Sequence, residues 1–256
     1  MITVEKIYKD LTQLAPENKA EDWDPVGPQI YFPEEVVKGL VLALDVTDQV
    51  LDFALEKGAN VIVSHHPMYF NPIRRFDQRT YQGKFLERAI EGKISVLSAH
   101  TNLDRASGGV NDALAQALDL RDLEEFAVDE EKGNMGYIGR SNFKSLEDLK
   151  VHIEEKIRPH HILAYGRKKE KIDKIALLGG SGADLISLAK AKGADLYITG
   201  DVKYHDGQKA YEEGLFLLDL GHFDTEKFVL EKLKELFAKE VEKVYIYPKS
   251  DFYVDF

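Results

Sequence analysis

Two patterns of apolar residues alternate along the chain. Short continuous apolar runs are typical of buried β-strands, and segments with apolar residues three or four positions apart are typical of α-helices. The clearest predicted strands span residues 39–46, 59–66, 94–100, 174–180, 194–201 and 215–222. Because helical segments separate these runs, the pattern predicts an α/β protein built from β-α-β units around mainly parallel sheets.

The middle of the chain follows a different pattern. GNMGYIGR (133–140) and ILAYGR (162–167) are predicted strands on either side of a predicted helix at 145–157. This segment is interpreted as an antiparallel or mixed edge in a second lobe.

The chain also contains an internal echo. Residues 57–66 read KGANVIVSHH and residues 192–201 read KGADLYITGD, an offset of 135 positions, and at the same offset VTDQVLDFAL aligns with SGADLISLAK. The echo is typical of two similar α/β lobes from an old duplication. The alternative is that any two β-α-β units look alike, and the sequence leaves both interpretations open.

The amino-acid composition limits the ligands that the protein can offer to a metal and the partners that it can bind. The chain has no cysteine, so disulfides and thiolate metal sites are excluded, and only nitrogen and oxygen ligands remain for a metal. The formal net charge of −11 disfavours bulk nucleic-acid binding, because phosphate backbones repel an acidic chain. No apolar run reaches the roughly 18–20 residues of a membrane span, and residues 1–19 do not resemble a signal peptide. A cytoplasmic location is therefore expected.

The strongest chemical motif is SHHP at residues 64–67, where a predicted strand ends. In open α/β sheets, functional groups gather beyond the carboxyl ends of strands. Before Pro67 the backbone can turn so that His65 and His66 face one crevice, and neutral imidazole is a good ligand for transition metals. The alternative is a pair of ordinary polar residues at a strand end.

Two further motifs also follow predicted strands. AHTNLD (99–104) offers Asp104 as an oxygen ligand, or alternatively as a turn or cap residue. GHFDTEKF (221–228) places His222 at a strand end, Asp224 as a plausible helix N-cap and Glu226 in the first helical turn. The alternative for Glu226 is a simple preference for the positive helix terminus. Taken together, the three motifs supply three histidines and two carboxylates, which are suitable ligands for a two-metal centre.

These motifs, in this order, resemble the Nif-three/YbgI-like dinuclear metal-binding family, often labelled GTP cyclohydrolase one type two. The resemblance runs from about residue 5 to about residue 250 and rests on WDPVGPQI (23–30), LALDVT (42–47), SHHPMYF (64–70), AHTNLD (99–104), ITGDVKYHD (198–206) and GHFDTE (221–226). One departure is the usual W-D-N-x-G-L box, which here reads Trp23-Asp24-Pro25-Val26-Gly27-Pro28.

The resemblance implies two α/β lobes with a metal pair in the cleft between them, and a homohexameric ring. It assigns residues 1–125 and 220–256 to a first lobe that carries the ligands, and residues 126–219 to a second lobe. By position, the family's ligands to two divalent ions (Zn, Fe, Mn, Co or Ni) fall on His65, His66, Asp104, His222 and Glu226, with Glu226 bridging.

Other residues are secondary candidates. Asp45, His100 and His205 are predicted to line the cleft as partners of the ligands or as proton carriers, or alternatively to be satisfied polar residues at strand ends. GGSG (179–182) is interpreted as a tight turn rather than a phosphate loop, and Trp23 as a packing residue next to the cleft rather than a base-stacking platform. A basic run after SHHP attracts an anionic substrate or forms a solvated surface; it comprises Arg74, Arg75, Arg79 and Lys84.

Two functional hypotheses follow. The first is a metal-dependent hydrolase acting on a small nucleotide-like or phosphorylated substrate, with GTP cyclohydrolase chemistry as a version that rests only on the family label. The second is a metal-binding or scaffold protein without turnover, which a ring-shaped assembly would suit. A DNA-binding regulator is disfavoured by the negative charge.

Overall fold

A computed structural model describes residues 1–252. The chain forms two compact units: unit 1 comprises Met1–Ala106 and the chain from Leu230 onward, and unit 2 comprises Ser107–Val229. Within residues 1–252, no helix combines the length and the apolar character that a bilayer crossing requires.

Unit 1 is an α/β layer structure. Its elements are α1 (Val4–Leu14), β1 (Gly27–Ile30), β2 (Leu40–Ala43), α2 (Asp48–Lys57), β3 (Val61–Ser64), α3 (Tyr81–Glu91), β4 (Ser95–Ser98), α4 (Thr101–Asp104), and, late in the chain, β11 (Val244–Ile246). The five strands form one sheet in the order β1-β4-β3-β2-β11. All neighbours run parallel except β1, which pairs antiparallel with β4.

The central strands of unit 1 are buried along their whole length. Parallel strands covered on both faces read as continuous apolar runs, which is the pattern seen in the sequence. Helix α2 is capped at both ends: the Thr47 hydroxyl accepts a hydrogen bond from the Val50 amide at 3.2 Å, and Gly58 ends the helix with φ of 66°.

Unit 2 contains a six-stranded mixed sheet. Its elements are α5 (Val110–Ala117), β5 (Arg121–Asp129), β6 (Gly133–Arg140), α6 (Leu146–His152), β7 (Leu163–Gly166), β8 (Lys174–Ser181), α7 (Ile186–Ala191), β9 (Leu196–Gly200), α8 (Tyr204–Glu212), β10 (Phe216–Asp219) and α9 (His222–Glu226). The strand order is β5-β6-β8-β9-β10-β7. Strands β8, β9 and β10 are parallel, and β5, β6 and β7 pair antiparallel.

The unit boundaries differ from the predicted 125/126 and 219/220 because two helices pack on the second sheet. In α5, Leu114 belongs to the apolar core that contains Leu177 of β8. The side-chain oxygen of Asn111 accepts a hydrogen bond from the Gly179 amide at 2.9 Å. In α9, the Thr225 hydroxyl accepts one from the Gly180 amide at 2.9 Å. Both helices therefore belong to unit 2, and α10 (Val229–Phe237) spans the second boundary.

The α/β class with two mixed sheets is confirmed. All six predicted strands are present, as are the two strands and the helix of the middle segment, where α6 continues into a π-helical turn at Ile153–Ile157. Three strands were missed. Strand β1 contains Pro28, β5 is rich in charged residues and mostly exposed, and β11 has three residues. Each forms a sheet edge, where apolar patterning is weak.

Both copies of the echo have the same local structure. Helix α2 leads through Gly58 into β3, and helix α7 leads through Gly193 into β9. The two glycines lie 135 positions apart and both have positive φ, 66° and 79°. A left-handed residue between helix and strand explains why glycine stands at both places.

Candidate metal-binding residues

His65 follows β3 directly and is fully buried. Its Nδ1 lies 2.9 Å from the Ala99 carbonyl oxygen. A carbonyl only accepts hydrogen bonds, so Nδ1 carries the hydrogen, and the lone pair of the neutral ring lies on Nε2. That nitrogen lies 3.6 Å from Asp104 Oδ1. His65 therefore presents a ligand nitrogen toward a carboxylate.

The ring of His66 is also oriented by an oxygen acceptor, in this case a carboxylate. Its backbone amide donates to the Leu44 carbonyl at 2.8 Å, which continues the pairing of β2 and β3. Its Nδ1 donates to Asp45 Oδ1 at 2.8 Å, so Nε2 is the ring nitrogen that could bind a metal. The ring centroids of His65 and His66 lie 4.9 Å apart.

His100 is the third histidine of this group. Its Nδ1 donates to Asp24 Oδ1 at 3.0 Å, and its ring centroid lies 5.1 Å from that of His65 and 5.4 Å from that of His66. Each of the three rings has a nitrogen within 4.8 Å of a nitrogen of the other two. The sequence placed His100 among the secondary candidates, whereas the structure groups it with two predicted ligands.

Asp24 was not predicted as a site residue. Burial acts to raise its pKa, but hydrogen bonds from His100 and from the hydroxyl and amide of Thr101 outweigh burial, so the pKa lies below its ordinary value. The carboxylate is therefore ionised at neutral pH and fixes the orientation of the His100 ring. The only signal in the sequence was its place beside Trp23 at the start of the WDPVGPQI motif.

Unit 2 carries the remaining predicted ligands, His222 and Glu226. Strand β10 ends at Asp219, so His222 begins α9 rather than ending the strand. His222 Nδ1 donates to Asp201 Oδ2 at 2.7 Å, and His222 Nε2 lies 3.1 Å from Glu226 Oε1. Burial disfavours the charged imidazole, but the carboxylates of Glu226 and Asp201 outweigh it and raise the pKa of His222 to about 11.

Asp201 was also missed, although the echo contained a signal for it. Asp201 stands in the second copy where His66 stands in the first, 135 positions earlier. In the structure, Asp201 orients the ring of His222, as Asp45 orients the ring of His66.

Two predictions about α9 were wrong in detail. Glu226 is the last residue of the helix, so an interaction with the positive helix terminus does not account for it. The N-cap is Gly221, and Asp224 instead accepts hydrogen bonds from the His160 amide at 2.8 Å and from Lys227 Nζ at 2.6 Å. Asp224 is a buried structural carboxylate.

The GGSG segment is not a tight turn. Strand β8 runs through Ser181, and Gly180 adopts φ of +69° within a β-irregularity. A Cβ at Gly180 would collide with Glu226 Oε1 and would lie 3.3 Å from His222 Nε2. The segment therefore provides space for the two ligand side chains of unit 2.

The remaining candidate residues differ in whether they contact a predicted ligand. Asp45 contacts a predicted ligand, as described above, whereas His205 is an exposed residue of α8 whose Nδ1 lies 3.3 Å from Gln208 Oε1. Within residues 1–252, His205 is in none of the potential metal-binding groups. The basic run is exposed, with Lys84 inside α3 and Arg79 paired to Asp77 at 2.6 Å. Trp23, predicted as a packing residue, is 62% exposed and lies against Phe70 and His100, with ring-centroid distances of 6.4 Å and 6.0 Å.

These donor groups fit a divalent transition metal. They consist of imidazoles held by carbonyl or carboxylate acceptors and of carboxylates, the donor types that suit Zn, Fe, Mn, Co and Ni. The fold and the donor residues therefore define a mixed α/β protein with clustered side chains that can bind a metal ion.

Comparison with known proteins gives the family. The sequence model of the family described as Duf34/NIF3 (NGG1p interacting factor 3) matches residues 2–250, so the chain belongs to this family. A Clostridium perfringens protein named GTP cyclohydrolase 1 type 2 homolog is 35% identical over 243 residues, with 92% of this chain and 93% of that protein covered.

Solved structures agree with this assignment. The Bacillus cereus protein related to NIF3 matches with a TM-score of 0.89 and 25% identity, covering 100% of this chain and 99% of that one. Reduced HcgD from Methanocaldococcus jannaschii matches with a TM-score of 0.84 and 29% identity, covering 97% and 98%. The family resemblance inferred from the motifs is thus confirmed.

Proposed function

We propose that this protein binds two divalent metal ions and is a metal-dependent hydrolase of a small nucleotide-like or phosphorylated substrate. The proposed ligands are His65, His66, Asp104, His222 and Glu226. The observation that carries the proposal is the way four histidines are held. In each of the three unit 1 histidines and in His222, Nδ1 lies within hydrogen-bond distance of an oxygen acceptor, which orients the ring so that Nε2 is the nitrogen that would bind a metal. Because the neighbouring carboxylates raise the pKa of His222, metal binding there would release a proton.

This second layer of partners favours metal binding over a merely structural role. His65 Nε2 lies 3.6 Å from Asp104 Oδ1, and His222 Nε2 lies 3.1 Å from Glu226 Oε1. An imidazole nitrogen beside a carboxylate oxygen is a pair of donor atoms that one divalent cation can bind together.

Bound divalent metals supply Lewis acidity and lower the pKa of water. The residues of the chain supply orientation and proton transfer. Asp45 and Asp201 fix the rings of His66 and His222, and His100, held by Asp24, is positioned to carry a proton. An acidic chain with a charge of −11 repels an anionic substrate, so the metals and the basic run after SHHP would provide the attraction.

Metal content is the first test. The protein is purified, loaded with Zn²⁺ or Mn²⁺, and its bound metal is measured by mass spectrometry. We expect two ions per chain, and less bound metal for His65→Ala and for His222→Ala than for the control His205→Ala, which changes an exposed histidine. Full metal content in both ligand variants would contradict the proposed site.

Turnover is the second test. The metal-loaded protein is assayed against GTP and against a nitrophenyl phosphodiester, with chelator-treated protein as the reference. We expect a metal-dependent rate that His65→Ala abolishes and that His100→Gln lowers by about 100- to 10,000-fold with metal content retained. No metal-dependent rate on a wide panel of nucleotides and phosphoesters would favour the alternative of a metal-binding or scaffold protein.

Self-association into a homohexamer remains a prediction. Light scattering on the purified protein would then give about six times the chain mass of 29.0 kDa.

A further inference from the structure

Two large aromatic side chains stand exposed beside the histidines of unit 1. Trp23 is 62% exposed and Phe70 is 50% exposed, and their ring centroids lie 6.4 Å apart. Both rings also contact His100 edge-on, with centroid distances of 6.0 Å and 5.7 Å. Large aromatic rings are normally buried, so a pair exposed next to a functional group requires an explanation.

The position of Trp23 is fixed by its neighbour in the chain. Asp24 is buried, and its carboxylate accepts hydrogen bonds from His100 Nδ1 at 3.0 Å and from the Thr101 amide at 3.0 Å. The Asp24 amide donates to the Glu21 carbonyl at 2.9 Å, and Pro25 follows. The indole is therefore attached to a backbone that these hydrogen bonds hold in place, and Trp23 is 62% exposed. Rigid exposed aromatic rings bind ligands with little loss of conformational entropy.

We propose that Trp23 and Phe70 form a stacking platform for a planar heteroaromatic ring of purine size. This inference rests on the proposed function and specifies its substrate class, because a ring on this platform would lie beside His100 and the ligands next to it. Every nucleobase has a π-face that stacks on indole and phenyl rings.

The size of the exposed surface favours a small molecule over a protein. At about 150–250 Å² for each aromatic side chain, the two rings expose on the order of 250 Å². A stable protein interface covers about 800 Å² on each partner. The platform is large enough for a fused bicyclic ring and far too small for a protein interface of its own.

The test uses a spectroscopic property of this chain. Trp23 is its single tryptophan, so the intrinsic tryptophan fluorescence reports on the platform alone. Zn²⁺-loaded protein is titrated with guanosine and with adenosine, and with ribose 5-phosphate as the ligand without a base. We expect saturable quenching by the nucleosides and no change with ribose 5-phosphate. Quenching that does not saturate and equals that of free N-acetyltryptophanamide would overturn the proposal.

Matched variants make the test specific. Phe70→Ala should weaken nucleoside binding by about 5- to 150-fold, the range expected for loss of one stacked ring. Phe76→Ala is the control, since Phe76 is 59% exposed in the same loop and lies outside the contacts with Trp23 and His100. Equal weakening by both variants would overturn the platform. Trp23→Ala has no tryptophan fluorescence, so its nucleoside affinity is measured by equilibrium dialysis with labelled guanosine.

Metal content, measured on the same samples, separates the two proposals. Two bound ions without saturable nucleoside binding would refute the platform and leave the metal centre intact. Saturable, Phe70-dependent nucleoside binding in protein that takes up no metal would support the platform and refute the proposed hydrolase. Retention of metal by Phe70→Ala and Trp23→Ala would show that their effect on nucleoside binding does not arise from misfolding.

Discussion

Substitution of Gly180 by alanine tests where the structure places Glu226. Gly180 has φ of +69°, in the left-handed region, where an alanine costs about 1–2 kcal/mol of stability. The added Cβ would also collide with Glu226 Oε1, and Glu226 is only 3% exposed, so its displacement requires repacking. Overpacking of this kind adds about 1–3 kcal/mol. We therefore expect Gly180→Ala to destabilise unit 2 by about 2–5 kcal/mol.

Gly193→Ala is the matched control. Gly193 has φ of +79°, and a Cβ there would meet no atom within 4 Å. This variant should lose only the backbone contribution of about 1–2 kcal/mol, which corresponds to a fall in Tm of roughly 2–8 °C. Because the two variants share the backbone effect, the difference between them measures the collision with the Glu226 side chain.

The assay combines thermal unfolding with competition for Zn²⁺ against a chelator of known affinity. We expect Gly180→Ala to weaken metal binding by at least about tenfold, since it displaces a proposed ligand, and Gly193→Ala to leave metal binding unchanged. Equal losses of Tm in the two variants, together with unchanged metal affinity in Gly180→Ala, would refute the placement of Glu226 or its role as a ligand.

Three further outcomes are expected. Asp45→Ala should weaken metal binding by about 10- to 100-fold, because the His66 ring loses the acceptor that orients it. The control Asp52→Ala removes an exposed partner of Arg88 and should leave metal binding unchanged. Competition with a chelator measures the metal affinity of both variants. Removal of metal by a chelator should lower Tm, and metal at 100 times its Kd should restore about 2.7 kcal/mol. Asp195→Asn should cost about 1–3 kcal/mol at neutral pH, because its carboxylate accepts hydrogen bonds from Lys169 Nζ and from two backbone amides.

The Asp195 prediction has a defined pH dependence. Burial acts to raise the pKa of Asp195, but the hydrogen bond from Lys169 and those from the backbone lower it below 3.8. A carboxyl group with a lowered pKa in the folded state stabilises the protein at pH above the unfolded value, and this contribution is lost as pH falls through the folded pKa. Urea unfolding should therefore show a gap between wild type and Asp195→Asn at neutral pH that narrows below about pH 4. A gap independent of pH would contradict this explanation.

The predictions from the sequence succeeded where one strong physical signal acted locally. Buried parallel strands need apolar side chains on both faces, so β2, β3, β4, β8, β9 and β10 were visible as continuous runs. Edge strands lack this requirement, and β5 was missed because most of its residues are exposed. The order of motifs around His65, Asp104 and His222 was sufficient to indicate the family.

Other features were decided only by tertiary structure. The fold brings Asp24 to Nδ1 of His100 and Asp201 to Nδ1 of His222. The first pair is 76 positions apart in the chain and the second pair is 21 positions apart. Hydrogen bonds between such distant residues produce no periodic pattern in the sequence. The packing of α5 and α9 against the second sheet likewise set the unit boundaries.

Trp23 shows the same division. It was predicted as a packing residue, but nothing in the sequence indicated that Trp23 is 62% exposed while the adjacent Asp24 is buried and accepts hydrogen bonds from His100 and Thr101. The sequence by itself determined the strands, the family and the types of donor residue, because each depends on the identity of the side chains and their local order. The partner and exposure of each side chain depend on contacts between distant segments, which only the folded chain defines.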